Sequence, residues 1–170
     1  MGVDTTQSDS STAAQPLDQL REAFPDAVLE ASLPQGDATA VVRPKQLFKI
    51  MEFLKNDPRL DFNVLVDITA VDYADREPRF DVVYHLLSIP KRRRLRIKVR
   101  VSDGEPFLSS VCPLWSCANW LEREVWDMFG IRFAGHPDLR RILLYEEFQG
   151  HPLRKDYPIR KRQPRIGPKN

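Results

Sequence analysis

The sequence predicts an α/β (α+β) fold, a two-layer sandwich of a mixed sheet with helices on one face, followed by an extended C-terminal tail. Runs of β-branched and apolar residues alternate with stretches whose apolar residues recur at helical spacing. One strand-like run, LRIKVRV at residues 95–101, alternates apolar and basic residues, so its sheet has one wet face. Helices on the opposite face complete the two layers.

Composition divides the 170 residues into three parts. Residues 1–15 are small and polar, which predicts a disordered N-terminal tail. Residues 16–134 carry the helix and strand patterns and are expected to form the α/β domain. Residues 135–170 form a basic, proline-rich extended tail, which must lie along a surface and is assigned to partner contact.

The elements of the domain follow from local patterns. Apolar spacing predicts a helix over 17–24, strands over 27–31 and 39–42 around a turn at 34–36, and a helix from Pro44 to about Pro58. Strands are predicted over 62–70, 80–89 and 95–101, with a basic hairpin tip at 91–94. The last helix is predicted to open at Pro113 and to end at a Gly130 cap, with an apolar face of Leu114, Cys117, Leu121, Val125 and Met128.

Charge is distributed unevenly along the chain. Residues 1–90 carry 8 basic and 15 acidic side chains, a net charge of −7, whereas residues 91–170 carry 18 and 9, a net charge of +9. This asymmetry favours a surface that meets an acidic partner, a nucleic acid or an anionic lipid, but it also suits a charge-polarised soluble protein. No apolar run reaches the roughly 20 residues of a membrane span, and no secretory signal precedes residue 16, so a cytosolic protein is expected.

Candidate metal and nucleotide sites are disfavoured. Cys112, Cys117, His136 and His151 do not have the spacing of structural zinc sites, and two cysteines cannot supply the four thiolates of an iron–sulfur cluster. Cys117 is expected to be a small core residue. The sequence has neither a Walker-type phosphate loop nor a glycine-rich dinucleotide fingerprint.

The helix over 113–130 carries charges that need partners. Arg123 and Asp127 have the i,i+4 spacing of a helical ion pair. Glu122, Glu124 and Asp127 could serve acid–base catalysis, but ion pairs to arginines such as Arg140 and Arg141, or to those of a partner, are favoured.

The three histidines are not placed as bases. His136 and His151 each stand between glycine and proline, so we expect their rings to bind neighbouring backbone. His85 is expected on a core or sheet face.

A nucleic-acid-binding module is the main alternative of another class. The basic ribbon 91–100 and the tail 154–169 could contact phosphates. Aromatic residues are not interleaved with the basic residues of the ribbon, as a stacking platform for single strands requires. Nucleic acid is therefore not an expected partner.

The run EREVWDMFGIRFAGHPDLRRIL, from Glu122, and the later GHPLRKDYP closely resemble the hallmark of one family. That family is the 30-kDa subunit, also called the C subunit, of the proton-translocating NADH:quinone oxidoreductase, respiratory complex I. The resemblance extends more loosely over residues 16–160, where the element order suits the α/β fold of the family.

The resemblance implies a cofactor-free structural subunit of the hydrophilic arm, with no catalytic, cofactor-binding or metal-binding residue. Its partners would be the 49-kDa-type subunit and iron–sulfur subunits in a hetero-oligomer. The assembled enzyme passes electrons from NADH through FMN and iron–sulfur clusters, held by partner subunits, to quinone, and couples this transfer to proton translocation. The chain would be peripheral at the cytoplasmic face of the bacterial inner membrane and would meet the membrane only through the complex.

The resemblance also implies a set of interface or structural residues. They are Glu122, Arg123, Glu124, Asp127, His136, Arg140, Arg141, His151, Arg154, Lys155 and Asp156. Related subunits of membrane-bound hydrogenases and of the plastoquinone-reducing complex share the motif, so these two assignments stay open at this point.

Overall fold

A computed structural model of the chain describes residues 6–104 and 106–164. The helices are α1 (Thr6–Ala23), α2 (Leu47–Asn56) and α3 (Ala118–Phe129), and two 3-10 turns lie at Pro34–Gly36 and Pro44–Gln46. The strands are β1 (Val28–Ser32), β2 (Ala38–Val42), β3 (Val64–Asp72), β4 (Phe80–Ser88), β5 (Arg93–Val101), β6 (Phe107–Ser109) and β7 (Arg132–Ala134). No helix in these ranges is long and apolar enough to cross a membrane.

Five strands form one mixed sheet in the order β1-β2-β5-β4-β3. The β2–β5 pair is parallel, and the other three pairs are antiparallel. A parallel pair requires a long connection, and here that connection contains α2, β3 and β4. The predicted mixed sheet with helices is confirmed.

The core lies on one face of this sheet. Strand β5 buries Leu95, Ile97 and Val99 on that face, where all three helices contribute to the same apolar cluster. The intervening basic residues of β5 face the other side, as the alternation predicts.

The short strands β6 and β7 were not predicted. They pair in parallel as a separate two-stranded sheet, and each buries one large side chain, Leu108 or Phe133. Each strand has three residues and one buried position, which is too short to show an alternating pattern in the sequence. The pairing is therefore visible only in the tertiary structure.

The prediction for the last helix was partly wrong. The helix begins at Ala118 instead of Pro113, and Cys117 is an exposed residue at its start, not a core residue. The buried positions include Ala118, Glu122 and Val125, because a carboxylate on the core side has its own partners there. The predicted cap is confirmed: Gly130 has a φ of 80° and closes the helix in the left-handed conformation.

Both chain ends differ from simple tails. Helix α1 begins at Thr6 and so includes part of the segment predicted to be disordered, while residues 1–5 lie outside the described residues. Leu17 and Leu20 anchor its second half in the core. Residues 135–164 contain no helix or strand and fold back on the domain, and their assignment to partner contact stays a prediction.

Candidate functional site, a clamped C-terminal segment

Asp127 is the centre of the contacts between α3 and residues 135–164, which follow β7 and are called the clamped segment below. Its side chain has no exposed surface, and it accepts a hydrogen bond from Arg141 Nη1 at 2.6 Å. Its other oxygen accepts the backbone amides of Ile142, Leu143 and Leu144 at 3.1, 3.0 and 2.9 Å. Burial alone would raise the pKa of this carboxyl, but the hydrogen bonds, led by the Leu144 amide and Arg141, lower its pKa. Successive amides thus hold the carboxylate in a backbone nest.

Arg141 connects Asp127 to the next part of the segment. Its Nη2 donates to the carbonyl oxygens of Phe148 and Gly150 at 2.7 and 3.2 Å. The guanidinium carbon lies 5.6 Å from the ring centroids of both Trp126 and Phe148. One arginine therefore fixes residues 148–150 to α3.

Arg123 does not form the predicted ion pair with Asp127. It donates instead to the carbonyl oxygens of Arg140 and Arg141, at 3.1 and 2.9 Å, and lies over the Trp120 ring. Both helix residues are buried beneath the clamped segment. Leaving backbone carbonyls unpaired there would destabilise the fold by more than a surface ion pair stabilises it. The i,i+4 spacing therefore correctly indicated that both charged residues need partners, but the predicted pairing of the two with each other was wrong.

The end of α3 is capped by the second GHP turn. The Nδ1 of His151 donates to the Asp127 carbonyl at 2.9 Å, and the Leu153 amide donates to the Met128 carbonyl at 3.1 Å. These contacts satisfy carbonyls that a helix end leaves free. Burial lowers the pKa of His151, and the nearby Arg141 and Arg154 act in the same direction.

Gly130 is required by the same turn. A Cβ at this position would lie 2.7 Å from a ring carbon of His151, and the φ of 80° already disfavours other residues. The close approach of ring and backbone explains why glycine stands at this helix end.

A second cluster fixes residues 154–156 to the end of the sheet. Arg79 is only 8% exposed and binds Asp72 at 2.7 Å, Asp103 at 2.8 Å and Asp156 at 3.0 Å. Arg154 binds Asp103 at 2.6 Å and Asp156 at 3.2 Å. Hydrogen bonds from Arg79 hold the pKa of Asp72 and that of Asp156 below their ordinary values.

The backbone of Lys155 completes this cluster, because its amide donates to Asp72 at 2.7 Å. Asp72, Arg79 and Asp103 were missed by sequence reasoning. The available signal was weak: Asp72 and Arg79 flank the turn between two predicted strands, where charged residues are common.

Glu122 organises a third contact, on the core side of α3. Its fully buried carboxylate accepts the Ser110 hydroxyl and the Val111 amide, both at 2.7 Å, and the Cys112 thiol at 3.4 Å. Burial raises the pKa of Glu122, and hydrogen bonds, first that of Ser110, oppose this shift. The residue thus fixes the loop before α3.

Cys112, Glu122 and His136 place potential metal-ligand atoms within 4.8 Å of one another. His136 Nδ1 accepts the Asp138 amide at 3.0 Å, so Nε2 carries the proton and donates to the Asn119 carbonyl at 3.1 Å. Burial raises the pKa of the Cys112 thiol to about 11. Both ring nitrogens of His136 and the Cys112 thiol are thus engaged in hydrogen bonds within the chain.

The zinc set considered from the sequence is not assembled. Cys117 Sγ lies 3.6 Å from the Leu65 carbonyl, and His151 is bound at the far end of α3. The expected backbone contacts of His136 and His151 are confirmed.

Three of the residues expected at an interface remain at the surface. Glu124 and the side chain of Lys155 are exposed, and Arg140 pairs only with exposed Asp138, at 2.8 Å, among the described residues. The other eight take part in the contacts within the chain described above. They are Glu122, Arg123, Asp127, His136, Arg141, His151, Arg154 and Asp156.

The clamped segment lies almost wholly within the much longer region that known proteins share with this chain. The family described as "Respiratory-chain NADH dehydrogenase, 30 Kd subunit" matches residues 40–163, a range that includes all the contacts of Asp127 and Arg79 described above. The chain belongs to this family.

Curated relatives carry the same family's name. The chain is 49% identical over 141 residues to the C subunit of NADH-quinone oxidoreductase from Geotalea uraniireducens (strain Rf4), covering 83% of this chain and 85% of the relative. It is 50% identical over 143 residues to the protein of the same name from Roseiflexus sp. (strain RS-1), covering 84% and 82%.

Solved structures share the 30-kDa-subunit fold. A trypsin-resistant fragment of Nqo5 aligns with a TM-score of 0.64 and 36% identity, covering 73% of this chain and 99% of that one. A chain of an archaeal membrane-bound sulfane sulfur reductase aligns with a TM-score of 0.68 over 85% of both chains. At 22% identity, the second likeness shows the fold alone.

Proposed function

We propose that the chain is a cofactor-free structural subunit in the hydrophilic arm of an NADH:quinone oxidoreductase, and that its clamped segment binds the 49-kDa-type subunit. Iron–sulfur subunits would lie close by. The complex would pass electrons from NADH through FMN and iron–sulfur clusters in partner subunits to quinone, with coupled proton translocation. The chain would be peripheral, at the cytoplasmic face of the inner membrane.

One observation carries this proposal. The contacts with α3 and with Arg79 use the inward side of the clamped segment. Its outward side carries the large apolar residues Leu143, Leu153 and Ile159, which are 62%, 53% and 100% exposed. Trp120 of α3, 60% exposed, adds to the apolar surface. Apolar groups fixed outward on an ordered segment are typical of a protein interface.

The chemistry of the chain supports a scaffold role. Its two cysteines cannot provide the four thiolates of an iron–sulfur cluster. The buried charges of α3 are each committed to partners within the chain, which suits fixing a register better than reacting.

The test is assembly of the complex in cells. Leu143→Asp with Leu153→Asp should remove the chain from the purified complex and lower NADH:quinone reductase activity in proportion to the assembled complex that remains. Leu29→Asp is the matched control, because Leu29 is 45% exposed on β1, away from the segment. A fully assembled variant complex with a slowed electron-transfer step would refute the scaffold role, and copurifying hydrogenase subunits would redirect the assignment.

A further inference from the structure

The sheet face opposite the helices is basic at its centre. Strand β5 is the middle strand, and its outward residues are Arg94, Arg96, Lys98 and Arg100. Val41 and Val83 beside it are buried, at 7% and 6%, yet lie outside the core cluster. The long basic side chains therefore cover this face, and the helix residues of the core cluster pack with the opposite one.

Only part of this charge is neutralised within the chain. Arg96 lies 3.6 Å from Asp37, and Arg100 lies 2.8 Å from Glu30. Arg94 and Lys98 form no ion pair within residues 6–104 and 106–164. The exposed tip of the β4–β5 hairpin adds Lys91 and Arg92, so the excess charge is continuous with it.

A pocket of about 310 Å³ opens on this face at the base of the hairpin. Arg94, Arg96, His85 and Asp37 supply its polar lining, and Val66 and Leu87 are among its apolar residues. The two guanidinium groups outnumber the one carboxylate, which lies 3.6 Å from Arg96. Val66 is 56% exposed on the edge strand β3. Two guanidinium groups beside an apolar floor fit a carboxylate on a short aliphatic stem, because a guanidinium donates paired hydrogen bonds to a carboxylate.

The pKa of His85 responds to the charged side chains around this pocket. Burial lowers the pKa of His85, and Arg96 and Lys98 lower it further, while Asp67 and Asp37 oppose them. Cationic and anionic side chains thus both act on the ring, in addition to its burial. A bound anion would act in the same direction as Asp67 and Asp37 and raise the pKa of His85.

We propose that this face, named here the β5 face and formed by His85, Arg94, Arg96 and Lys98, docks an acidic segment of a neighbouring protein subunit. The proposal rests on the scaffold function and adds a second contact to it. The tip of the β4–β5 hairpin lies at the opposite end of these strands from the Arg79 cluster, so the two contacts are spatially separate.

The lining favours protein over the other polyanions. Among the described residues, no Phe, Tyr or Trp lines the pocket, so nucleobases lack the aromatic platform on which they stack. The two pocket arginines belong to a strand within a sheet and not to an amphipathic helix of the kind that enters a lipid interface.

The test uses the full-length chain and a hexaglutamate peptide. Proton NMR titration resolves the ring signals of the three histidines, and the peptide should raise the pKa of His85 while leaving the ring chemical shifts of His136 and His151 unchanged. Arg94→Glu with Lys98→Glu should weaken peptide binding about tenfold or more, because two cations that would pair with the peptide become anions that repel it. Lys49→Glu with Arg59→Glu changes the net charge equally on the α2 side of the sheet and should leave binding unchanged.

Several outcomes would overturn the proposal. They are an unmoved His85, equal weakening by both charge-reversal pairs, or tighter binding at His85 by an oligonucleotide, by inorganic phosphate or by phosphatidylglycerol vesicles. In cells, Arg94→Glu with Lys98→Glu should also reduce recovery of the chain in the complex. If that variant assembles fully while Leu143→Asp with Leu153→Asp does not, the scaffold function stands and the β5 face is refuted.

Discussion

Asp127 belongs to helix α3 and also fixes the backbone of the clamped segment. Its carboxylate is buried on α3, but all four of its hydrogen-bond donors in the described part of the chain come from residues 141–144. The sequence indicated that this charge needed a basic partner and included Arg141 among the candidates. It could not indicate the three amides, because backbone donors leave no trace in residue identity.

Asp127→Ala should lower the free energy of unfolding by about 3–5 kcal/mol, since Arg141 and three amides would lose a buried acceptor. Urea unfolding measures the loss. Glu124→Ala, three positions earlier on the exposed side of α3, should change stability by less than about 0.5 kcal/mol. Equal losses in the two variants would show that the nest contributes nothing specific.

At the scale of elements, the segment 135–164 is held at two separate places, one on α3 and one at the end of β3 and β4. Arg79 is the centre of the second place and takes three carboxylates. The arginine comes from the domain and one of the carboxylates, Asp156, comes from the segment, so the attachment at this second place depends on ion pairs.

Arg79→Gln should therefore release the end of the segment without unfolding the sheet. Trypsin should then cleave after Lys155 or Arg160 faster than in the unchanged protein, and mass spectrometry of the fragments identifies the site. Arg59→Gln removes an exposed pair with Asp57 and should leave the cleavage rate unchanged. Cleavage that is equally slow in Arg79→Gln would mean that the α3 contacts alone hold the segment.

The strong periodic patterns predicted the main elements well. Strand β5 and helix α2 bury apolar sets with a clear period, and strands β3 and β4 are rich in apolar and β-branched residues. Each of the four lies within a few residues of its predicted range. The start of α3 was misplaced because Leu114 and Cys117 continue its spacing by chance in the preceding turn. Strands β6 and β7, and the Arg79 cluster, depend on contacts between distant residues that no local pattern records.

At the scale of the whole molecule, the titrating groups that hold the clamped segment all change the free energy of unfolding in the same direction with pH. Asp72, Asp127 and Asp156 have pKa values below their ordinary range, and His151 has a lowered pKa. For each group, the folded state binds protons less readily than the unfolded chain. The stability they contribute is thus present above the unfolded pKa values and is lost as pH falls.

The free energy of unfolding should therefore decrease on acidification, first through the histidine below about pH 6.5 and then more steeply below about pH 4. Glu122 acts in the opposite direction, because its raised pKa favours the protonated folded state. Chemical denaturation at a series of pH values measures the balance. Asp127→Asn should make the acid limb shallower, and an unchanged slope would exclude Asp127 from the acid response.

The contacts of Asp127 and Arg79 also bear on the thermodynamics of association. Ordering a free residue costs about 1–2 kcal/mol of conformational entropy, and a disordered peptide meets that cost when it binds. Here the cost is met while the protein folds, by carboxylates and amides of the same polypeptide. At the proposed interface, a partner subunit would therefore meet Leu143 and Leu153 on a surface that is ordered before binding, and more of the interfacial free energy would remain for affinity.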